Sequence, residues 1–385
     1  MNPDIFQEVR GHRTLLSALS RSAREDRVAS ALLFHGPSGV GKLTTAIALC
    51  RALLCEGGGG GACGECESCR RISSTALIHP DVGILRPQPR KRKKEGETDE
   101  EEGEAEGDDT EESPEERPAG ALDLQDLQEE VRQNPRWQIL AGATRRRLGD
   151  LFISPGGGRR RLLLVLAAER LGRVSGNILL KVLEEPPGSA VIVLLCESPS
   201  ALLPTIRSRC QSCRFPPLPR EVVEDFLRLR GVEAPEARLT ASLAGGRIGR
   251  ALLLAREAGA YRARREVLSS LLTEVRTARS AAVSLAAARE VISEEADSSE
   301  DLSILMDILR DAMLSGAGCP ASLLTDARAE GAARPAGITA LEAASLLVRV
   351  ERARDDLRRS VNRQVALETL FLDLADPQAL PPEGD

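Results

Sequence analysis

The sequence predicts an α/β domain, a parallel sheet flanked by helices, followed by an all-helical remainder. Three observations carry this. A short apolar run at 31–35 feeds a glycine-rich turn and then a helical pattern near 42–54. Two more apolar runs, "RLLLVLAA" (161–168) and "AVIVLLC" (190–196), flank the helical stretch "SGNILLKVLEE" (175–185). Apolar strands alternating with helices argue for a parallel sheet covered on both faces. From about residue 218 the strands stop. "PREVVEDFLRL", "EARLTASLAG", "GRALLLAREAGAYRARREVLSSLL" and "ITALEAASLLVRVERARDDLRRS" all repeat at helical spacing.

The composition agrees. At 385 residues the chain has room for two or three domains. Aromatics make up only 2%, so its cores are built from Leu, Ala, Val and Ile, which favours helix. No apolar run is long enough to span a bilayer, and the polar start "MNPDIFQEVRGHR" does not resemble a signal peptide. A cytosolic, non-membrane protein is expected. Its 9 Cys are then expected as thiols or metal ligands rather than disulfides.

The net charge of −6 is dominated by one segment. Residues 95 to 117 hold 14 acidic side chains against one Arg; the rest carries 44 acidic and 51 basic groups. Five of those basic residues form "RKRKK" at 90–94. The stretch 87–120 has almost nothing apolar to offset chain entropy, so a disordered, solvated insertion is expected there. The near-neutral remainder argues against a free-standing nucleic-acid binder.

The first motif is "GPSGVGKLTTA", starting at Gly36. Gly36, Gly39 and Gly41 let backbone N–H groups converge on phosphate oxygens, the next helix adds its positive N-terminus, and Lys42 reaches the β/γ-phosphates. The residue after Lys42 ordinarily supplies a hydroxyl to magnesium. Here it is Leu43, and Thr44 lies about 100° further round the helix. Phosphate binding survives such a change, whereas metal-assisted hydrolysis is compromised.

The second motif is Cys55, Cys63, Cys66 and Cys69, spaced C-x7-C-x2-C-x2-C. Four thiolates suit a tetrahedral structural zinc with no open catalytic position. A ferredoxin cluster would need a different fourth spacing. Cys50, on the face "AIALCRALL", reads as a core residue.

Hydrolysis also needs acids at the end of a central strand. "LLLVLAAERL" instead ends in Leu166, Ala167 and Ala168, and Glu169 is expected as a surface residue at the strand exit. The strand "AVIVLLC" ends in Cys196, a poor sensor of a γ-phosphate.

With the phosphate loop and "CGECESC", the ordered motifs "HPD" (79–81), "LLKVLEEPP" (179–187), "SPSALLPTIRSRCQ" (198–211) and "LAGGRIGRAL" (243–252) resemble the bacterial clamp-loader ATPases of DNA polymerase III. The resemblance covers roughly 10–85 and 160–255 well and the last third weakly, with "NRQVALETLFLDL" similar to a closing collar helix. It implies an AAA+ nucleotide-binding domain at 1–217, carrying the zinc module (55–69) and the charged insert (87–120). A helical lid at 218–262 and a helical collar at 263–385 would follow. It implies a hetero-pentameric ring with gamma/tau and delta subunits that uses ATP to place a sliding clamp on primed DNA. Arg209, in "SRC", resembles the arginine finger that reaches a neighbour's ATP; Arg250 resembles the lid's sensor arginine. The departures at Leu43, Leu166, Ala167 and Cys196 favour the delta-prime branch, which binds ATP or ADP at most without hydrolysis, over an active gamma/tau-like motor. The arginines at 145–147 and 159–161 are expected as solvated surface, with contact to DNA phosphates the alternative.

Overall fold

The structure is a computed structural model. It describes residues 5–6, 9–57, 61–72, 77–89, 130–131, 134, 137–156, 160–292, 298–320, 323–325, 338–358 and 362–375. The chain divides into two compact units, Met1–Leu218 and Pro219–Asp385.

The first unit is built on five parallel strands in the order β2-β3-β4-β1-β5. They are β1 (Ala31–His35), β2 (Val82–Leu85), β3 (Arg161–Val165), β4 (Ala190–Cys196) and β5 (Gln211–Arg214). The central strand β4 is buried along its whole length, as the run "AVIVLLC" requires. Alternate residues feed two cores. Leu32, Phe34, Leu164 and Val193 face one, with Leu49 and Ile47; Leu33, Val165, Ile192 and Leu194 face the other, with Leu179 and Leu183.

Helix α1 (Arg13–Arg24) precedes β1, and α2 (Lys42–Leu54) follows it. The short α3 (Glu67–Arg71) holds part of the cysteine module. Helix α4 (Ala141–Gly149) precedes β3, α5 (Arg173–Glu184) joins β3 to β4, and α6 (Pro204–Arg207) joins β4 to β5. Strands β1 and β4 and helix α2 lie where the apolar pattern puts them. β3 is shorter than its apolar run: the chain leaves the sheet at Leu166 and turns through Ala167, which has a left-handed φ of 48°.

Strands β2 and β5 are additions to the sequence expectation. β2 is only "VGIL", and β5 is "QSCR", with one buried residue in four. An edge strand of polar residues carries no apolar alternation. The expected disorder of 87–120 lies outside the described residues, except at its start. There Gln88 exchanges both backbone hydrogen bonds with Gln138, at 2.9 and 3.2 Å, so that expectation fails for 87–89.

The second unit is helical among its described residues: α7 (Arg220–Leu229), α8 (Ala234–Ala244), α9 (Ile248–Arg256), α10 (Ala258–Ala278), α11 (Ala281–Ile292), α12 (Ser298–Gly316), α13 (Ala340–Arg358) and α14 (Arg363–Ala375). One core joins Leu239, Leu268, Leu305, Leu346 and Phe371. Three ion pairs from α10 reinforce it: Arg264–Asp301 (2.6 Å), Arg265–Asp311 (2.7 Å) and Arg276–Glu342 (3.0 Å). Trp137, the chain's one Trp, lies in the first unit, and Tyr261, its one Tyr, in the second.

Candidate functional site: phosphate loop, cysteine cluster and Arg209

The phosphate loop occupies the carboxyl end of β1, where open parallel sheets bind ligands. Gly36, Gly39 and Gly41 have φ of 144°, 78° and 104°, a left-handed series that L side chains resist. A Cβ on Gly36 would lie 2.0 Å from the Phe215 carbonyl oxygen. The loop is braced from outside. His12 bonds the Val40 carbonyl through Nε2 at 3.0 Å and meets the Phe215 ring edge-on at 5.0 Å.

Lys42 opens α2. Its ammonium donates to the carbonyls of Gly36 (2.5 Å) and Pro37 (2.7 Å). Leu43 is buried in the core, so the expected magnesium position is turned inward and apolar. Thr44 is half-buried, while Thr45, fully buried, returns its hydroxyl to the Gly41 carbonyl at 2.8 Å.

Two carboxylates come to this loop. The register pairs His35 with Cys196, so Glu197 follows at the level of Gly36. Glu169, beyond the left-handed turn at Ala167, is the second. Burial lowers the Lys42 pKa, and the charges of Glu197 and Glu169 oppose that. Burial also raises Glu169, with Glu197 adding to it and Lys42 opposing it. The expectation of a plain surface role for Glu169 is therefore corrected. It is half-buried, and its Oε2 has no hydrogen-bond partner among the described residues. The sequence carries no signal for this: the left-handed turn at Ala167, a residue type that rarely adopts it, brings Glu169 back toward the loop. Cys196 is buried, and burial pushes its thiol up to about 12.

The four cysteines converge, as their spacing requires. Their sulfurs all lie within 4.8 Å of one another. Cys63–Cys69 and Cys66–Cys55 are separated by 3.9 and 4.0 Å. A tetrahedron with metal–sulfur bonds of about 2.3 Å has edges of about 3.8 Å, so the cluster fits a structural metal. Gly64 supplies the left-handed turn between Cys63 and Cys66 (φ 79°) with nothing near its missing Cβ. Backbone N–H groups already favour thiolate. The N–H of Cys63 points at Cys55 Sγ (3.3 Å), that of Cys66 at Cys63 Sγ (3.3 Å) and that of Cys69 at Cys66 Sγ (3.4 Å). The N–H groups of Cys66 and Glu65 pull the Cys63 thiol down to about 6. Burial pushes Cys69 and Cys55 the other way.

A hydrogen-bond chain that sequence reasoning missed supports the cluster. The Asp81 N–H donates to His79 Nδ1 (3.1 Å), which fixes the neutral tautomer. His79 Nε2–H then donates to Ser68 Oγ (3.0 Å), and Ser68 Oγ donates to Glu56 (2.7 Å). The "HPD" triplet thus anchors the module to the start of β2. Cys50 is buried in the core at α2 and its thiol is pushed up to about 12 by burial.

Arg209 stands just before β5. Its Nη2 pairs with Glu184 Oε1 at 2.6 Å, and its Nη1 donates to the Thr205 carbonyl at 3.1 Å. Arg250 lies on α9 in the second unit, half-buried, where its charge acts on the Asp307 carboxyl. The arginine triplets are partly committed within the fold. Arg160 grips Asp26 (2.6 Å), Arg161 donates to the Ser154 carbonyl (3.0 Å) and Arg147 meets Asp150 (3.5 Å). Arg145 and Arg146 are exposed, and Arg159 lies outside the described residues.

The family model described as "DNA polymerase III, delta subunit" matches residues 11–219. DNA polymerase III subunit delta' of Bacillus subtilis is 29% identical over 230 residues, 60% of this chain and 55% of that protein. The delta' subunit of Pseudomonas aeruginosa is 30% identical over 220 residues, 53% of each. The gamma/tau subunit of Mycobacterium bovis is 27% identical over 226 residues, 58% of this chain and 31% of that one. The chain thus spans about half the length of the delta' relatives it matches. Among the described residues, no helix is long and apolar enough to cross a membrane.

Proposed function

Since the chain belongs to the DNA polymerase III delta-subunit family, we propose that it acts as a delta-prime-like subunit of a clamp loader. In this reading it helps place a sliding clamp on primed DNA during replication. It takes its place in a hetero-pentameric ring with gamma/tau and delta subunits, lends Arg209 to a neighbour's ATP and does not hydrolyse ATP itself. One observation carries the proposal. The phosphate loop is intact in shape, yet the residue after Lys42 is Leu43, apolar and buried in the core, while Arg209 stands partly exposed.

Each part has a stated support. A guanidinium is always charged, and its fork matches phosphate oxygens. Supplied in trans, such a finger raises turnover on the order of a thousandfold or more. Gly36, Gly39, Gly41, Lys42 and Thr44 form a phosphate cradle suited to bound ATP or ADP, with Arg250 as a sensor from a lid at 218–262. The collar would be 263–385. Zinc, held by Cys55, Cys63, Cys66 and Cys69, would tie the end of α2 to α3 as a structural ion.

The test is reconstitution with gamma/tau and delta subunits, clamp and primed DNA. Arg209→Ala should fold normally and depress the ATPase of the complex; an unchanged clamp-loading rate would remove the finger role. The second reading is an active motor-type ATPase, and Glu169 with its unpartnered oxygen near Lys42 speaks for it. Turnover by the purified chain at about one per second or faster, abolished by Lys42→Ala, would establish that reading instead.

A further inference from the structure

Arg209 is held in one geometry by two groups. Glu184 Oε1 accepts from Nη2 at 2.6 Å, and the Thr205 carbonyl accepts from Nη1 at 3.1 Å. Glu184 is the last residue of α5, and Thr205 lies in α6. The two helices meet closely because α5 carries Gly176: a Cβ there would lie 3.2 Å from a Leu203 methyl and 3.7 Å from an Ile206 methyl. Eight residues on, about 12 Å along the helix axis, α5 ends with Glu184 against the guanidinium. The negative end of the helix dipole adds to its carboxylate there.

The pair does little for stability. The Arg209 side chain is 38% exposed and that of Glu184 52%. Ion pairs this exposed are screened by water and add little to folding. A free arginine samples many rotamers, and holding one of them carries an entropic cost. Glu184 and Thr205 meet that cost before any partner arrives. They take up one donor on each terminal nitrogen and leave the rest of the fork open.

We propose that Glu184 is a positioning residue for Arg209: it fixes the guanidinium, with the Thr205 carbonyl, in the orientation that a neighbouring subunit's nucleotide phosphate meets. This rests on the finger reading of Arg209 and assigns a role to the first glutamate of "LLKVLEEPP", which sits outside any nucleotide site of its own chain. An arginine misaimed by a fraction of its length loses most of its effect on a transferring phosphoryl group.

The experiment uses the complete reconstituted loader carrying Glu184→Gln, Glu184→Asp, Arg209→Ala or the double change E184Q/R209A. ATPase is measured against ATP concentration with clamp and primed DNA present. Glu184→Gln should lower kcat on the order of tenfold with little change in KM. Glu184→Asp should retain most of the rate, and E184Q should add nothing once Arg209 is gone. Thermal unfolding of the variants should match the parent. If Glu184→Gln turns over at or above the parental rate while Arg209→Ala is slow, the positioning role is overturned and the finger stands. If Arg209→Ala itself runs at the parental rate, the finger reading fails first. A double variant slower than Arg209→Ala alone would also overturn the proposal, because Glu184 would then act through something else.

Discussion

At the scale of single residues, the loop shows how much a sequence can and cannot declare. Gly36, Gly41 and Lys42 were legible because only glycine suits their backbone and only a long cation reaches phosphate. Leu43 was legible as a loss, since no rotamer gives leucine an oxygen. Glu169 was not legible: its placement depends on the left-handed turn at Ala167, a non-glycine conformation that no residue type announces. Gly36 gives a direct test. Gly36→Ala puts a methyl 2.0 Å from the Phe215 oxygen at a φ of 144°. The two penalties together should destabilise the first unit by roughly 3 kcal/mol or more, read from urea unfolding. At the loop, Glu197→Gln and Glu169→Gln together remove the anions that act on Lys42. Binding of a fluorescent ADP analogue should tighten several-fold in that double variant; unchanged binding would mean the carboxylates do not compete with phosphate.

Among the elements, the strongly periodic ones were readable and the marginal ones were not. β4 announced itself because burial along its whole length leaves an unbroken apolar record, and α2 because the apolar stretch "AIALC" follows directly on the phosphate loop. β5 left none: its ladder to β1 is made by backbone atoms, with exposed Gln211, Ser212 and Arg214 carrying no pattern. Helix ends behave in the same way. α8 stops at Gly245, whose φ of 57° is left-handed and whose missing Cβ would meet nothing within 4 Å. Gly245→Ala should therefore cost only about 1 kcal/mol, a purely conformational effect, well below the Gly36 variant. Between α10 and α12, Asp307 gives a pH test. Burial pushes its carboxyl from 3.8 up to about 6, with Asp311 adding and Arg265, the Tyr261 hydroxyl and Arg250 opposing. A carboxyl that binds its proton more tightly when folded favours the fold at low pH. That contribution is complete below about 3.8 and is lost as pH rises through about 6. A difference of that size between the folded and unfolded carboxyl corresponds to roughly 3 kcal/mol. Asp307→Asn should be more stable than the parent at pH 7 by up to that amount, and the gap should close toward pH 4.

For the whole molecule, the two units have separate cores, so each is expected to unfold as its own transition. The cysteine cluster belongs entirely to the first. A strong chelator should lower the midpoint of the first unit's transition and leave the second's in place, as expected when a ligand binds one folded unit alone. Equal shifts of both would contradict that independence. The alternation of apolar runs with helical spacing foretold an α/β unit followed by helices, because such patterns extend over many residues. How Arg209 is restrained rests on two contacts, one from Glu184 at the end of α5 and one from the Thr205 carbonyl in α6, and no such pattern reaches them. The scarcity of aromatics has a practical consequence. With Trp137 in one unit and Tyr261 in the other, the protein carries its own pair of optical reporters. Indole emission, excited beyond the tyrosine band, follows the sheet unit alone, while the derivative absorbance band of tyrosine, separated from the stronger indole band, follows the helical unit. Each melt can thus be traced in the unlabelled chain, without cutting it in two.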